Sequence, residues 1–352
     1  MTSGFNAFIE EGMVGNDKIE LVKREDVIFF AGLFESVDKE LLALLRRAQI
    51  PNDLLRIEHD YQYLPEVTIK NLICILGEKT SLAEFSILIT SACKQLYIPR
   101  FISKLSQQHS LKAALEEFAA LLISHSTGAK VSVQFAGGKW WLVREKQGQG
   151  QDWFHYAELF SVVFLSQLLV ALTAGKWQPR EIGVQASSVD EFNQLPGLQH
   201  AQFYAQRPVT ALLIPDELMQ ASINLPVPFE RLLRIDEPQQ TTMQVQSCFV
   251  DSLKLALKPY TSSGKLPISI AAQILNIQIR TLQRRLAKEG TVYSDLIEAM
   301  VLEHSLELLH CRSIQITTIA TKMGYSDAAH FTRSFKRQMG MTPSQYRRSL
   351  CS

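Results

Sequence analysis

Cysteine is scarce and scattered in this chain. The five residues Cys74, Cys93, Cys248, Cys311 and Cys351 form no Cys-x-x-Cys pair. A disulfide framework or a thiolate zinc site is therefore not expected, and a reducing cytoplasm suits the composition. Long apolar runs are missing too. The most apolar stretch, Val162 to Ala174, is 13 residues long and includes Ser166 and Gln167. It is too short to span a bilayer and reads as a buried helix, so no membrane partner is expected. The opening segment MTSGFNAFIEEGMVGND lacks the basic region and apolar core of a signal peptide. Signatures of catalysis are also absent: there is no P-loop, GxSxG elbow, HExxH site or GxGxxG turn. Carboxylate pairs such as Glu116-Glu117 fall on predicted helix surfaces, where a solvated face is the default. The expectation is that the protein is not an enzyme and needs no cofactor. Net charge is nearly absent as well, at +1 from 36 basic and 35 acidic residues. Taken alone, that argues against a nucleic-acid partner.

The near-neutral total is a cancellation. Residues 1–253 hold 22 Lys and Arg against 29 Asp and Glu, a net of −7, whereas residues 254–352 hold 14 against 6, a net of +8. Such asymmetry points to a nucleic-acid-binding module joined to something else. The polar stretch Asp236-Glu-Pro-Gln-Gln-Thr-Thr242 has the composition of a linker. It divides the chain into an amino-terminal domain (residues 18–234), a linker (235–242) and a carboxy-terminal domain (243–349). The segment Met243 to Lys258 predicts a helix ending before Pro259, and a second break follows at Pro259 to Gly264.

The amino-terminal patterns are mixed. Ser81 to Gln95 and Leu111 to Ser124 predict helices opened by serine caps. Ala129 to Phe135 alternates with period two, Gly137-Gly138 predicts a turn, and KWWLVREK returns as a hairpin partner. Asp152 to Ala174 predicts a long helix, while EIGVQAS and VTALLIP predict strands. The fold class expected is α+β. Aromatic residues concentrate from Phe135 to Phe164, including Trp140, Trp141, Trp153, Phe154, Tyr156 and Phe160. Such residues suit a small-molecule pocket, but an aromatic hairpin packed on a helix gives the same pattern and is favoured for each residue. His125 and His155 are read as structural or exposed.

The basic segment repeats itself. Ala272, Leu275 and Ile277 match Ala320, Met323 and Tyr325 at identical spacing. With one extra residue in the second copy, Leu282, Arg284 and Leu286 match Phe331, Arg333 and Phe335. Each copy reads as helix, sharp turn, helix. Ser269 and Thr317 are candidate caps of the first helices. Asn276 and Gly324 sit where the chain must turn, since both residue types tolerate positive φ. In the second helices, Leu282 and Leu286, or Phe331 and Phe335, pack inward. Left outside are Arg280, Gln283, Arg284, Arg285 and Lys288 in copy one, and His330, Thr332, Arg333, Lys336 and Arg337 in copy two. Arginine can bond guanine bidentately and glutamine adenine, so these faces suit a major groove. Between the copies, Ser294 to His310 carries the helical stripe Leu296, Met300, Val301, His304 and Leu308. Its length suits a spacer between two recognition helices about one turn of DNA apart.

The run ATKMGYSDAAHFTRSFKRQMGMTPSQYRR, Ala320 to Arg348, resembles the carboxy-terminal signature of AraC/XylS-type transcriptional regulators, and RTLQRRL with Gly290 fits that family's first helix-turn-helix. The resemblance covers about residues 243–349. It implies an all-α DNA-binding domain of about seven helices, with two helix-turn-helix units joined by a linker helix. It also implies base-reading roles for Arg280, Gln283, Arg284, His330, Thr332 and Arg333. Phosphate contacts then fall to Lys288, Lys336, Arg337 and the Arg347-Arg348 pair. Val301 and Ser305 depart from the Arg and Ala that the family often carries there, and Ala329 offers little hydrogen bonding. More weakly, LAEFSILITSACKQL, Gly175 to Pro179 and VTALLIPDELMQASINLP are similar to the arabinose-binding-type sensor domain of a subgroup of these regulators. The resemblance implies a cytoplasmic regulator, more often an activator. Its partners would be promoter DNA, RNA polymerase, a small-molecule effector and a second copy of the chain. Two alternatives stay open: a DNA-directed repair enzyme and a ligand-binding protein carrying the same reader domain.

Overall fold

Segments distant in sequence combine to make each of two units. The computed structural model describes residues 18–36, 41–51, 53–55, 61–106, 110–223, 248–261 and 264–350. Of these, one unit takes residues 25–51 and 68–223, and the other takes 18–24, 53–67 and 248–350. Residues 18–24, 53–55 and 61–67 thus group with the carboxy-terminal helices. The expected linker 235–242 lies outside the described residues.

The first unit is mixed α and β. Its elements are α1 (Arg24–Gly32, from Glu25 onward), α2 (Leu41–Arg47), α3 (Val67–Lys79, from Thr68 onward), α4 (Leu82–Ala92), α5 (Ile98–Ile102), α6 (Leu111–His125), α7 (Asp152–Leu172) and α8 (Asp216–Met219). They accompany a five-stranded sheet of β3 (Lys130–Ala136), β4 (Lys139–Glu145), β5 (Glu181–Gly183), β6 (Gln202–Tyr204) and β7 (Thr210–Ile214). The serine caps form as expected. Ser81 Oγ accepts from Glu84 N while Glu84 accepts back from Ser81 N at 2.9 Å, and Ser110 Oγ accepts from Ala113 N. The helix from Ser81 then runs through a π turn, Cys93–Tyr97, into α5.

Gly137 and Gly138 take φ of 58° and 73°, the left-handed pair that a two-residue hairpin turn requires. They set β3 against β4 with Phe135 opposite Trp140. The sheet order is β3-β4-β7-β5-β6, antiparallel except for β5 and β6. Helix α7 is 21 residues long and apolar enough by length and composition to cross a membrane. Yet 67% of its most apolar window is buried within the unit, as a core helix requires. Leu159, Val162, Leu165, Leu168 and Leu169 are fully buried, each worth about 1.5–3 kcal/mol.

In the second unit, β1 (Leu21–Lys23) pairs antiparallel with β2 (Tyr63–Pro65). This ribbon packs on α9 (Phe249–Thr261). Ile19 N donates to Ser252 Oγ at 3.0 Å, and Ile19 and Leu21 share one core with Phe249, Leu253 and Leu257. Helix α9 does not stop before Pro259 as expected. Pro259 lies within its last turn and gives up only its own ladder bond, and Thr261 Oγ1 donates to the Lys258 carbonyl at 3.0 Å. Six further helices follow: α10 (Ile268–Ile274), α11 (Ile279–Lys288), α12 (Tyr293–His310), α13 (Ile316–Lys322), α14 (Ala328–Met339) and α15 (Pro343–Ser349).

Candidate nucleic-acid interface

The two pairs α10–α11 and α13–α14 turn by the same device. Asn276 and Gly324 hold φ of 52° and 73°. In the first pair Ile277 N donates to Ala272 O and Asn276 N to Gln273 O; in the second Tyr325 N donates to Ala320 O and Gly324 N to Thr321 O, all at 3.0–3.1 Å. Each is a Schellman closure, in which a left-handed residue lets the last helical carbonyls be satisfied. The expected caps Ser269 and Thr317 do not serve. The helices begin two residues earlier than such caps would start them, after Pro267 and Gln315, whose side chains make no cap bond. Helix α14 is capped by Asp327, whose Oδ1 accepts from His330 N at 2.6 Å. That bond holds the Asp327 carboxyl below its usual range, with smaller help from Ser326, Ala329 and Arg333.

The inward residues of α11 and α14 are those expected: Leu282, Leu286, Phe331 and Phe335 are all buried. Arg280, Gln283, Arg284 and Lys288 are exposed, as are His330, Arg333, Lys336 and Arg337. Two residues depart from the expected outward face. The Arg285 guanidinium lies over the Phe249 ring at 5.5 Å and is half-buried, because its helix position turns it toward α9. Thr332 is also half-buried, and its hydroxyl donates to Ala328 O at 2.7 Å, so its hydrogen is already spent on the helix.

Arg347 is committed as well. Its Nε donates to Leu309 O at 3.2 Å, satisfying a carbonyl at the end of α12, while Arg348 remains exposed. Helix α12 buries Leu296, Met300 and Val301 as expected, but Ile297, Ser305 and Leu309 join them, and His304 and Leu308 lie at the margin. The buried Ser305 hydroxyl bonds Val301 O at 2.7 Å, so close packing survives the hydroxyl. His304 pairs with Glu307 at 3.2 Å.

Two features were not legible beforehand. Glu298 on α12 binds Lys265 at 2.7 Å and Arg337 at 3.6 Å, and the Lys265 bond holds its carboxyl below the usual range. Gly264, at φ +111°, touches the turn of the second pair: a Cβ there would stand 2.7 Å from Gly324 Cα and from Met323 O.

The first unit has its own buried polar groups. His125 Nδ1 lies 2.9 Å from Asp26, both nearly fully buried, and its Nε2 lies 3.2 Å from the Lys104 ammonium. Glu25, Asp26 and His125 are close enough to hold a cation, but Arg100 and Lys104 already occupy that space as cations. Burial raises the Glu25 carboxyl, but Arg100, Lys104 and His125 together outweigh it and leave the pKa lowered. His155 is half-buried and pairs with Glu191. Glu158, inside α7, accepts from Gln185 N, Ala186 N and Thr210 Oγ1, which ties the helix to β7 and the loop after β5. Within the aromatic concentration Trp141, Trp153, Phe154 and Phe164 are buried, Trp140, Tyr156 and Phe160 are half-buried, and Phe135 is exposed.

Residues 271–349 match the family described as helix-turn-helix domain. This segment is an AraC-type helix-turn-helix domain. The chain is 39% identical over 85 residues to the HTH-type transcriptional regulator VirS of Mycobacterium tuberculosis, covering 24% of this chain and 25% of that protein. It is 34% identical over 92 residues to an uncharacterized HTH-type transcriptional regulator of Mycobacterium bovis, covering 26% and 27%. It is 31% identical over 84 residues to the HTH-type transcriptional activator CsvR of Escherichia coli, covering 24% and 32%. The chain thus spans about a quarter to a third of the length of these relatives. The AraC-type domain is all-helical, and the unit that contains it also includes the ribbon β1–β2.

Proposed function

We propose that this protein is a sequence-specific DNA-binding transcriptional regulator. In this reading, α10–α11 and α13–α14 are two helix-turn-helix units, α12 is the linker helix, and α11 and α14 enter successive major grooves. The repeated turn carries the reading, because it sets two helices with exposed basic faces in equivalent positions. At 1.5 Å per residue α12 is roughly 27 Å long, of the order of the ~34 Å helical repeat of DNA. Arg280, Gln283 and Arg284 read bases in the first groove, and Arg333 with His330 reads the second. Lys288, Lys336, Arg337 and Arg348 meet phosphates. Thr332 contributes less than its position suggests.

The first unit senses a small-molecule effector and joins two copies of the chain. The regulator works in the cytoplasm, beside RNA polymerase, as an activator. The relatives named as regulators support this class, and CsvR is named an activator. Neither catalysis nor a cofactor is part of the reading. A binding-site selection on random duplexes followed by salt titration tests it. The expected result is one selected site of about 20 base pairs whose affinity falls steeply with salt. Binding to no duplex at low salt would overturn it. For the activator assignment, deleting the gene should lower expression of the adjacent operon, and a rise would refute it.

A further inference from the structure

Ile279 opens α11 and is 40% exposed. Among the described residues it is the one large apolar side chain of α11 and α14 left exposed, since Leu282, Leu286, Phe331 and Phe335 are buried and Met339 is half-buried. It neither belongs to the hydrophobic core of its unit nor packs against it, although Ile277 two residues earlier does. Helix formation does not call for it there either, because a β-branched side chain loses χ1 freedom in a helix. Ile279 stands four residues before Gln283, so the two share one edge of the helix, beside Arg280 and Arg284. The counterpart of Ile279 in the second helix is the small, half-buried Ala328.

The first residues of a recognition helix lie nearest the base edges. In the major groove the one apolar group that a base pair presents is the thymine C5-methyl. We infer that Ile279 is a specificity-determining residue, which packs on the C5-methyl of a thymine adjoining the adenine read by Gln283. The inference rests on the DNA-binding reading above. It makes the first half-site demand thymine through a methyl group, a demand the second half-site does not make.

Replacing thymine by deoxyuridine removes that methyl and keeps every hydrogen-bonding group. In the selected duplex, each thymine is replaced in turn, and affinity is measured for the wild-type full chain and for Ile279→Ala. At one position wild type should lose about fourfold, the value of one buried methyl-sized group. Ile279→Ala should lose a similar factor on the thymine duplex and show no further loss on deoxyuridine. Unfolding curves of the two proteins should coincide, since the side chain is outside the core. If every replacement affects wild type and Ile279→Ala equally, the inference is overturned while DNA binding stands. If no duplex is bound at all, the DNA-binding reading itself falls.

Discussion

The two helix pairs of the basic unit share a backbone and differ in nearly everything around it. Both close with the same two hydrogen bonds around a left-handed residue, one with asparagine and one with glycine. Around the first pair, α9 supplies support, itself covered by the ribbon β1–β2, and Arg285 is drawn in over Phe249. The second pair instead has Gly264 against its turn, Glu298 on Arg337, and an aspartate cap. Outward, the first helix presents Arg280, Gln283 and Arg284, and the aligned positions of the second are Ala329, Thr332 and Arg333. A repeat can therefore keep its backbone turn while the residue at the turn, its supports and its outward face diverge.

Deleting residues 1–24 should separate the pairs most. It removes Ile19 and Leu21 from the core under α9, a loss of about 3–6 kcal/mol for two buried aliphatic side chains. Hydrogen exchange should show residues 268–288 losing more protection than 316–339. Equal loss would mean that the pairs unfold as one. Next, Gly264→Ala acts from the side of the second turn. With a positive φ and backbone at 2.7 Å, it should cost about 2–4 kcal/mol in urea unfolding. An unchanged midpoint would remove that support from the account.

On DNA the contrast reverses. Gln283→Ala should weaken binding to the selected site by about 1–3 kcal/mol and relax one base pair. Thr332→Ala should change affinity by less than about 0.5 kcal/mol, its hydroxyl being bonded within the helix. Comparable losses would place Thr332 in the groove after all. The smallest effect concerns acid. Because the folded Asp327 carboxyl sits below the ordinary value of 3.8, its stabilisation is present above that value and disappears as pH falls through the lower folded one. Asp327→Asn should flatten that part of the thermal-stability profile below about pH 4 and leave neutral stability less changed.

Much of this was legible in the sequence because it depends on neighbours along the chain. Serine caps, the Gly137-Gly138 hairpin, the long helix from Asp152 and the turns at Asn276 and Gly324 all announce themselves within a few residues. So does the inward face Leu282, Leu286, Phe331 and Phe335, through periodicity. What escaped depends on contacts far apart in sequence. The inward turn of Arg285 needs Phe249, the engagement of Arg347 needs the carbonyl of Leu309, and the role of Gly264 needs Gly324. Membership of residues 18–24, 53–55 and 61–67 in the basic unit was hidden for the same reason. Their composition resembles that of their neighbours, and only pairing with α9 reveals their place.

The ribbon β1–β2 has a consequence for the order of events during synthesis. Ile19 and its partner Ser252 are 233 residues apart. At about 5–20 residues per second, the first strand leaves the ribosome roughly 10–50 s before the helix that covers it. The ribbon's first strand is therefore made long before the helix that covers it. During that interval the ribbon's two short strands must wait with their apolar side chains uncovered, a window in which a chaperone or a neighbouring nascent chain competes with α9 for the same surface.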